Sequence, residues 1–280
     1  MANAKGPRRS AWWKSEVPKA LYHQHARGDI VCCDALSFLH YLKDGCADIV
    51  FLDPPFNLGK TYASSSTHRD RLPNDEYMRY MEQILLRCCD ILCDGGALYL
   101  YHVPRLAMIF ANILAKHLSL RHWIAIAMKN GFVRGDNLYP AHYGLLYFTK
   151  GDPAVFRRPK LPIARCRKCN STLRDYGGYK QYVTEGVNLS DYWDDISPVR
   201  HKKHKNRTAN ELPLTIPMRV AQISGCRNGT LVDPFAGAGT SIIAALNCHM
   251  RFVAADREHD ACRIMRSRLQ RQPGSVANGQ

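Results

Sequence analysis

Short apolar runs alternate with longer segments of helical periodicity along most of the chain. Most of these runs are continuously apolar, which is typical of strands whose sheet is covered by helices on both faces. The predicted strands are residues 48–52, 97–101, 123–128, 144–148, 230–232 and 252–254. This alternation predicts an α/β fold with a mostly parallel sheet.

Apolar spacing also predicts three helices. The first follows the first predicted strand, and we expect Asp75 to cap it and Gly95 with Gly96 to end it. Its apolar positions are Tyr77, Met81, Ile84, Leu85, Cys88 and Leu92. The other two helices begin at Thr240 and near Glu258, each after one of the last two predicted strands.

Three segments depart from this pattern. Residues 1–20 mix basic residues, Pro, Gly and Ser with Trp12 and Trp13, which predicts a flexible basic N-terminal arm. Residues 273–280 predict a flexible tail. Residues 151–208 are basic and contain several prolines and aromatic residues, so we interpret them as an insertion carried by the sheet. The location of this insertion favours substrate recognition over chemistry.

The charge balance indicates a polyanionic partner. Lys and Arg number 39 against 24 Asp and Glu, which gives a net charge of +15. Two basic runs in the insertion are interpreted as contacts to nucleic-acid phosphates, the alternative being two solvated loops. The candidate DNA-binding residues are Arg157, Arg158, Lys160, Arg200, Lys202 and Lys203.

Other features of the composition exclude several classes of protein. No run of about 18 apolar residues is present, so we expect no membrane-spanning helix. The basic N-terminus lacks the apolar stretch of a secretory signal, so we expect the protein to stay in the compartment where it is made. The eleven cysteines are an odd number in a chain too long for a disulfide scaffold, which favours reduced thiols.

A proline-rich segment follows the first predicted strand. It reads Asp53-Pro54-Pro55-Phe56-Asn57. Because each proline fixes φ and lacks an N–H donor, the turn presents rigid carbonyl acceptors beside the Asp53 carboxylate. Phe56 adds a flat apolar face, and this combination suits an exocyclic amino group on an aromatic ring. The alternative is a surface turn that happens to be rich in proline.

A glycine-rich segment, residues 233–240, joins a predicted strand to a predicted helix. Gly237 and Gly239 permit a tight turn and a close approach of the backbone to a ligand. Asp256 follows the next strand, where an acidic residue can accept hydrogen bonds from ribose hydroxyls. The alternative is an ordinary glycine turn of an α/β protein.

The sequences DPPFN and DPFAGAGT, taken together, resemble the catalytic motif and the S-adenosylmethionine motif of the amino-methylating DNA methyltransferases. Their order along the chain is similar to that of the β class of this family. The resemblance implies a Rossmann-like methyltransferase fold, with a mostly parallel sheet, helices on both faces and a basic inserted recognition region. Residues 21–150 would be its catalytic half, residues 151–208 the target-recognition insertion and residues 209–272 its cofactor-binding half.

The resemblance also implies roles for individual residues. The residues that would hold the target base are Asp53, Pro54, Pro55 and Phe56. Those that would bind S-adenosylmethionine are Asp34, Asp233, Phe235, Gly237, Gly239, Thr240 and Asp256. Asp34 would lie near the adenine, with Asp29 as a competitor, and Asp256 stands where the family more often has Glu. Asn210 and Pro213 would lie near the cofactor, although Leu212 replaces the Lys that often precedes that proline.

The implied reaction moves a methyl group from S-adenosylmethionine to the exocyclic amino group of a base flipped out of double-stranded DNA. Asp53 is more typical of the adenine-N6 enzymes, so adenine is favoured over cytosine N4. An RNA or protein-amide methyltransferase and an inactive DNA-binding module are further alternatives. The resemblance implies a cytoplasmic protein associated with DNA, and it leaves open a homodimer and a cognate restriction endonuclease.

The insertion also contains residues with the spacing of zinc ligands. They are Cys166, Cys169, His201 and His204. The interval between the two pairs is long and the two histidines are unusually close in sequence. We therefore predict no metal site here and interpret the histidines as part of the basic run, with a structural zinc ion as the alternative.

Overall fold

A computed structural model describes residues 12–15, 18–57, 72–128, 138–163, 165–166, 168–171, 186–197 and 211–271. The strands in these segments are β1 Leu21–His25, β2 Gly28–Cys32, β3 Ala47–Leu52, β4 Leu92–His102, β5 Ser119–Ala127, β6 His142–Thr149, β7 Lys160–Leu161, β8 Val187–Asn188, β9 Tyr192–Trp193, β10 Thr230–Asp233 and β11 Arg251–Asp256. The helices are α1 Ala35–Tyr41, α2 Asn74–Ile91, α3 Pro104–Leu114, α4 Thr215–Ser224, α5 Thr240–Asn247 and α6 His259–Gln270.

Nine of the described strands form one sheet, in the order β1-β2-β11-β10-β3-β4-β6-β5-β9. The five neighbours from β2 to β4 run parallel to one another. β1 and β6 pair antiparallel with their neighbours, whereas β9 lies parallel to β5. The sheet is therefore mostly parallel, which confirms the predicted architecture.

Helices cover both faces of this sheet because the central strands are apolar on both sides. In β3, Val50 and Leu52 pack into one core with α1, α2 and α3, whereas Ile49 and Phe51 pack into the other with α4, α5 and α6. All four of these side chains are at most 1% exposed. The continuous apolar runs of the sequence are thus explained by burial on two faces.

The first predicted helix has different ends in the structure. Its N-cap is Pro73, so Asp75 lies in the first turn and is not the cap, and the helix ends at Ile91. Gly95 and Gly96 belong to β4, and the prediction that they end the helix is wrong. The glycine at position 95 is needed for another reason, because an added Cβ would lie 2.7 Å from the backbone of Ala154.

The predicted N-terminal arm is wrong at its two tryptophans, which are each 1% exposed. Trp12 donates its indole N–H to Thr230 Oγ1 at 3.2 Å, and Trp13 donates to Asp29 Oδ2 at 3.2 Å. The basic composition predicted flexibility, but burying two large apolar rings is more favourable than leaving them exposed on a solvated arm. Residues 1–11 lie outside the described residues.

The described part of the predicted insertion is attached to the main sheet. Tyr192 and Trp193 form β9, and Trp193 is 1% exposed. The Arg219 guanidinium of α4 lies 5.1 Å from the Trp193 ring centroid and also pairs with Asp195. These contacts hold Trp193 and Asp195 against α4.

All eleven cysteines are free thiols. Burial raises the pKa of the Cys46 thiol to about 11 and that of Cys89 to about 12, so both are neutral near pH 7. No helix among the described residues is long and apolar enough to cross a membrane.

Candidate active site

Both predicted motifs lie at one edge of the sheet, where the five parallel strands end. β2, β3, β4, β10 and β11 end there at Cys32, Leu52, His102, Asp233 and Asp256. β10 and β3 are neighbours, and the helices that follow them, α5 and α2, lie on opposite faces. Open parallel sheets bind their ligands at such a reversal of strand order.

The glycine-rich loop follows β10 and turns sharply into α5. Gly237 and Gly239 have φ values of 53° and 76°, a backbone conformation that favours glycine. A Cβ at Gly239 would also lie 2.8 Å from Met265 Cγ of α6. The first N–H groups of α5 have no carbonyl partner within the helix, so the loop offers donors to an anionic group.

The buried carboxylate of Asp233 holds this loop through hydrogen bonds. Asp233 is 2% exposed, and its carboxylate accepts hydrogen bonds from the backbone N–H of Phe235, at 2.9 Å, and from the hydroxyl of Ser241. Burial raises the pKa of Asp233 to about 7. Both carboxylate oxygens therefore hold the loop, and the role of Asp233 in binding the cofactor stays a prediction.

Asp256 links the loop to the next strand. Its Oδ2 accepts from the Gly237 N–H and its Oδ1 from the Glu258 N–H, both at 2.9 Å. A carboxylate oxygen can accept more than one hydrogen bond, so these contacts leave acceptor capacity for a ligand hydroxyl. The structure therefore brings Asp256 to the glycine loop, as the sequence predicts.

Asp34 and Asp29 differ in solvent exposure and in position along the sheet. Asp34 follows the end of β2, is exposed, and caps α1 by accepting from the Ser37 N–H at 3.0 Å. Asp29 is 2% exposed inside β2 and accepts from the Trp13 indole. Of the two competitors, only Asp34 lies at the edge where the motifs meet.

Arg268 of α6 braces the same loop and was missed by the sequence analysis. Its guanidinium donates to the Ala238 carbonyl at 2.7 Å and to Thr240 Oγ1 at 3.3 Å, and it lies 3.5 Å from the Glu211 carboxylate. Burial lowers the pKa of Arg268. A lone arginine near the end of a helix gives no sequence signal for such a role, because its contacts are distant along the chain.

The proline turn follows β3 and is held by side chains of α2 and β4. The Tyr77 hydroxyl donates to the Pro55 carbonyl at 2.7 Å and lies 2.9 Å from His102 Nε2. Asn57, at φ 55°, accepts from the Leu72 N–H at 2.8 Å, which ties the end of the turn to the start of α2. The turn is therefore fixed at both Pro55 and Asn57.

Aromatic rings surround Phe56. The centroids of His102, Tyr143 and Tyr101 lie 4.6, 5.7 and 5.9 Å from that of Phe56. Burial, followed by the nearby Asp53 carboxylate, raises the pKa of both tyrosines, so their hydroxyls stay protonated. None of these three rings was predicted to belong to the site, although Tyr101 ends a predicted strand and His102 follows it directly.

The described basic candidates lie in and near β7, and their role in binding DNA stays a prediction. Arg157 donates to the Gly225 carbonyl at 2.6 Å, at the end of α4 that precedes β10, which is the edge opposite the proline turn. The Arg158 guanidinium lies 5.5 Å from the Phe156 ring centroid, and Lys160 belongs to β7. The remaining candidates, Arg200, Lys202 and Lys203, lie outside the described residues.

The proposed zinc ligands are only half within the described residues. Cys166 and Cys169 lie in a turn, where the Asn170 N–H donates to the Cys166 carbonyl at 2.9 Å. His201 and His204 lie outside the described residues, as does Asn210. Among the residues that the structure does describe, no group of three metal-ligating side chains is found.

Comparison with known families identifies the family of this chain. A family model described as DNA methylase, for N6 and N4 methyltransferases, matches residues 47–267, which include both loops. The chain belongs to the N6/N4 DNA methylase family. Its resemblance to an amino-methylating DNA methyltransferase is thereby confirmed.

Two curated relatives of the methylase are type II methyltransferases. M.BamHI of Bacillus amyloliquefaciens is 35% identical over 240 residues, which are 84% of this chain and 55% of that protein. M.HpaI of Haemophilus parainfluenzae is 25% identical over 248 residues, which are 86% of this chain and 73% of that protein. The methylase chain therefore spans about half the length of M.BamHI.

Solved structures share the fold of the methylase at low identity. The M1.HpyAVI–SAM complex matches with a TM-score of 0.58 and 17% identity, over 86% of this chain and 98% of that chain. The cytosine-N4-specific PvuII DNA methyltransferase matches with a TM-score of 0.61 and 13% identity, over 90% of this chain and 88% of that chain. These matches confirm the Rossmann-like methyltransferase fold.

The buried carboxyl of Asp233 predicts a pH-dependent stability. Its pKa is about 7 in the folded protein and near 3.8 when unfolded, so the folded state binds the proton more tightly between these values. Stability should therefore fall as pH rises from about 4 to about 7, by up to about 1.4 kcal/mol per pH unit. Urea unfolding of the wild type and of Asp233→Asn across this range measures the effect. The variant should gain stability relative to the wild type as pH rises, and a constant difference would refute this assignment.

Proposed function

We propose that the methylase transfers a methyl group from S-adenosylmethionine to the exocyclic amino group of a base flipped out of double-stranded DNA. The observation that carries this proposal is the convergence of the proline turn and the glycine loop at the adjacent ends of β3 and β10. The proline turn suits the amino group of the base, and the glycine loop suits the cofactor. Methyl transfer requires the amino group and the methyl group of the cofactor to be bound next to each other.

The residues around the glycine loop fit S-adenosylmethionine. Its carboxylate needs N–H donors, which the N-terminus of α5 offers, and its hydroxyl and amino groups need acceptors, which Asp256 and Asp34 provide. Phe235, Gly237, Gly239 and Thr240 form the loop itself, with Asp233 as its internal brace. The relative whose structure is titled as a SAM complex has the same fold. The cofactor, when bound, supplies an electrophilic methyl group on a sulfonium.

The proline turn would prepare the amino nitrogen. The lone pair of an aromatic amine is delocalised into its ring, which makes the nitrogen a poor nucleophile. Hydrogen bonds from the amino group to the Asp53 carboxylate and the Pro54 carbonyl would favour a pyramidal nitrogen with a directed lone pair. Phe56 would stack on the base. Positioning and electrostatics would supply most of the rate, without a cysteine nucleophile.

Adenine N6 is the proposed target, and this assignment rests on the single residue Asp53. Cytosine N4 is the alternative, since the PvuII enzyme, which shares this fold, is cytosine-N4-specific. Sequencing DNA modified in a methylation-free host, followed by digestion to nucleosides, reports the site and the base. N6-methyladenine supports the proposal, and N4-methylcytosine alone would replace adenine with cytosine.

Several wider assignments belong to the same proposal. The type II names of the relatives support duplex DNA over RNA or a protein amide, and they support a cognate restriction endonuclease as a partner. A cytoplasmic, DNA-associated location and a homodimer remain predictions. Comparing methyl transfer to duplex DNA, RNA and protein distinguishes the substrate classes, and transfer to none of them would indicate an inactive binding module.

Asp53→Ala tests the role of the turn. Loss of the acceptor should lower turnover at least about 100-fold, while binding of S-adenosylmethionine stays within about twofold. Turnover is measured with tritiated cofactor and binding by calorimetry. Asp94→Ala is the matched control, because Asp94 is an exposed carboxylate near the start of β4, at the opposite edge. Wild-type turnover by Asp53→Ala would exclude the proposed role.

The salt dependence of DNA binding tests the basic candidates separately. Replacing Arg200, Lys202 and Lys203 by Ala should reduce the slope of log K against log salt by about 2.7, if each contacts one phosphate. Arg157→Ala should leave the slope unchanged, because this side chain is engaged with the Gly225 carbonyl at the far edge. Titrations of non-target duplex at several salt concentrations give both slopes. Equal slopes for the triple variant and the wild type would remove these residues from the interface.

A further inference from the structure

The two prolines of the turn cannot donate backbone hydrogen bonds. Pro54 and Pro55 are consecutive and carry no N–H group, so this part of the turn offers only carbonyl acceptors. A carbonyl in such a turn is oriented by whatever donor reaches it from another element. At Pro55 that donor is the hydroxyl of Tyr77, which is 4% exposed in the first turn of α2.

The hydrogen bonds at Tyr77 have a defined direction. His102 at the end of β4 is fully buried, and burial lowers its pKa to about 4, so the ring is neutral. The Val103 N–H donates to His102 Nδ1 at 2.9 Å, which makes Nδ1 the acceptor and leaves the ring proton on Nε2. Nε2–H therefore donates to the Tyr77 oxygen at 2.9 Å. The Tyr77 proton is thereby directed to the Pro55 carbonyl, at 2.7 Å.

The same histidine also supports Phe56. The two ring centroids are 4.6 Å apart at an interplanar angle of 44°. His102 thus contacts Phe56 directly and reaches Pro55 through Tyr77. Since Pro54 lies between Asp53 and Pro55, fixing Pro55 and Phe56 also restricts the orientation of the Pro54 carbonyl.

We propose that Tyr77 and His102 are positioning residues for methyl transfer, which hold the Pro54-Pro55-Phe56 backbone in the orientation that the target amino group requires. Neither side chain touches the base, and both act through the turn. This inference rests on the proposed function. It adds two residues, from α2 and β4, to the catalytic apparatus.

Tyr77→Phe removes the donor to Pro55 and keeps the ring in place. A misplaced acceptor should lower kcat about 10-fold to 100-fold. The KM for S-adenosylmethionine and its calorimetric Kd should stay within about twofold, because the glycine loop is separate from this chain of hydrogen bonds. The readout is therefore a split between kcat and cofactor affinity, which general destabilisation does not produce.

Tyr99→Phe is the matched control. Tyr99 of β4 is also a buried tyrosine, in the core on the other face of the sheet, and its hydroxyl lies 2.7 Å from Ser224 Oγ at the end of α4. Tyr99→Phe loses the contact with Ser224, whereas Tyr77→Phe loses the bond to Pro55 and the contact with His102, so both variants should lower the thermal midpoint. The control should keep kcat within about twofold of the wild type.

The outcomes separate this inference from the function on which it rests. A wild-type protein that methylates no duplex DNA contradicts the proposed function, whatever the variants do. An active wild type with unchanged kcat in Tyr77→Phe, or with an equal loss of kcat in Tyr99→Phe, overturns the positioning role. If Tyr77→Phe fails to fold, the double variant Tyr77→Phe/His102→Leu replaces it, because it no longer strands the Nε2–H donor. The same loss of kcat is expected there, and wild-type turnover overturns the proposal.

Discussion

The site depends on the parallel pairing of β3 with β10, in which Ile49 and Val50 lie beside Leu231 and Val232. These strands are far apart in sequence, and their pairing brings the ends of both to one edge of the sheet. Burial on both faces stabilises this register. A slip of one strand past the other would expose apolar side chains or leave voids beneath the helices that cover each face. The chemistry proposed for the methylase is therefore a consequence of which two strands are neighbours.

The two loops at this edge are made rigid by opposite means. The glycine loop adopts left-handed backbone conformations and is braced by buried or half-buried side chains, among them Asp233 and Asp256. The proline turn has restricted dihedral angles but no N–H group at Pro54 or Pro55, and the hydroxyl of Tyr77 supplies a hydrogen bond to the Pro55 carbonyl. Both solutions fix backbone groups in advance of ligand binding, which reduces the reorganisation required during the reaction.

The sequence predicted the central strands and both motifs because continuous apolar runs, prolines and glycines are local signals. It did not predict α1, α3 or α4, and it misplaced the end of α2, since Gly95 serves a close contact with Ala154 and Gly96 lies within β4. Composition alone made Trp12 and Trp13 part of an arm, although both rings are buried. The braces Tyr77, His102 and Arg268 were missed because each acts on a residue distant along the chain.

The central claim is that the target base and the cofactor meet between the ends of β3 and β10. A crystal structure of the methylase with target duplex and the non-reactive analogue sinefungin, in place of S-adenosylmethionine, tests it most directly. The account predicts a flipped base whose amino nitrogen contacts Asp53 and the Pro54 carbonyl and lies about 3–3.5 Å from the analogue's reacting centre. A base or an analogue bound at any other edge of the sheet would contradict it.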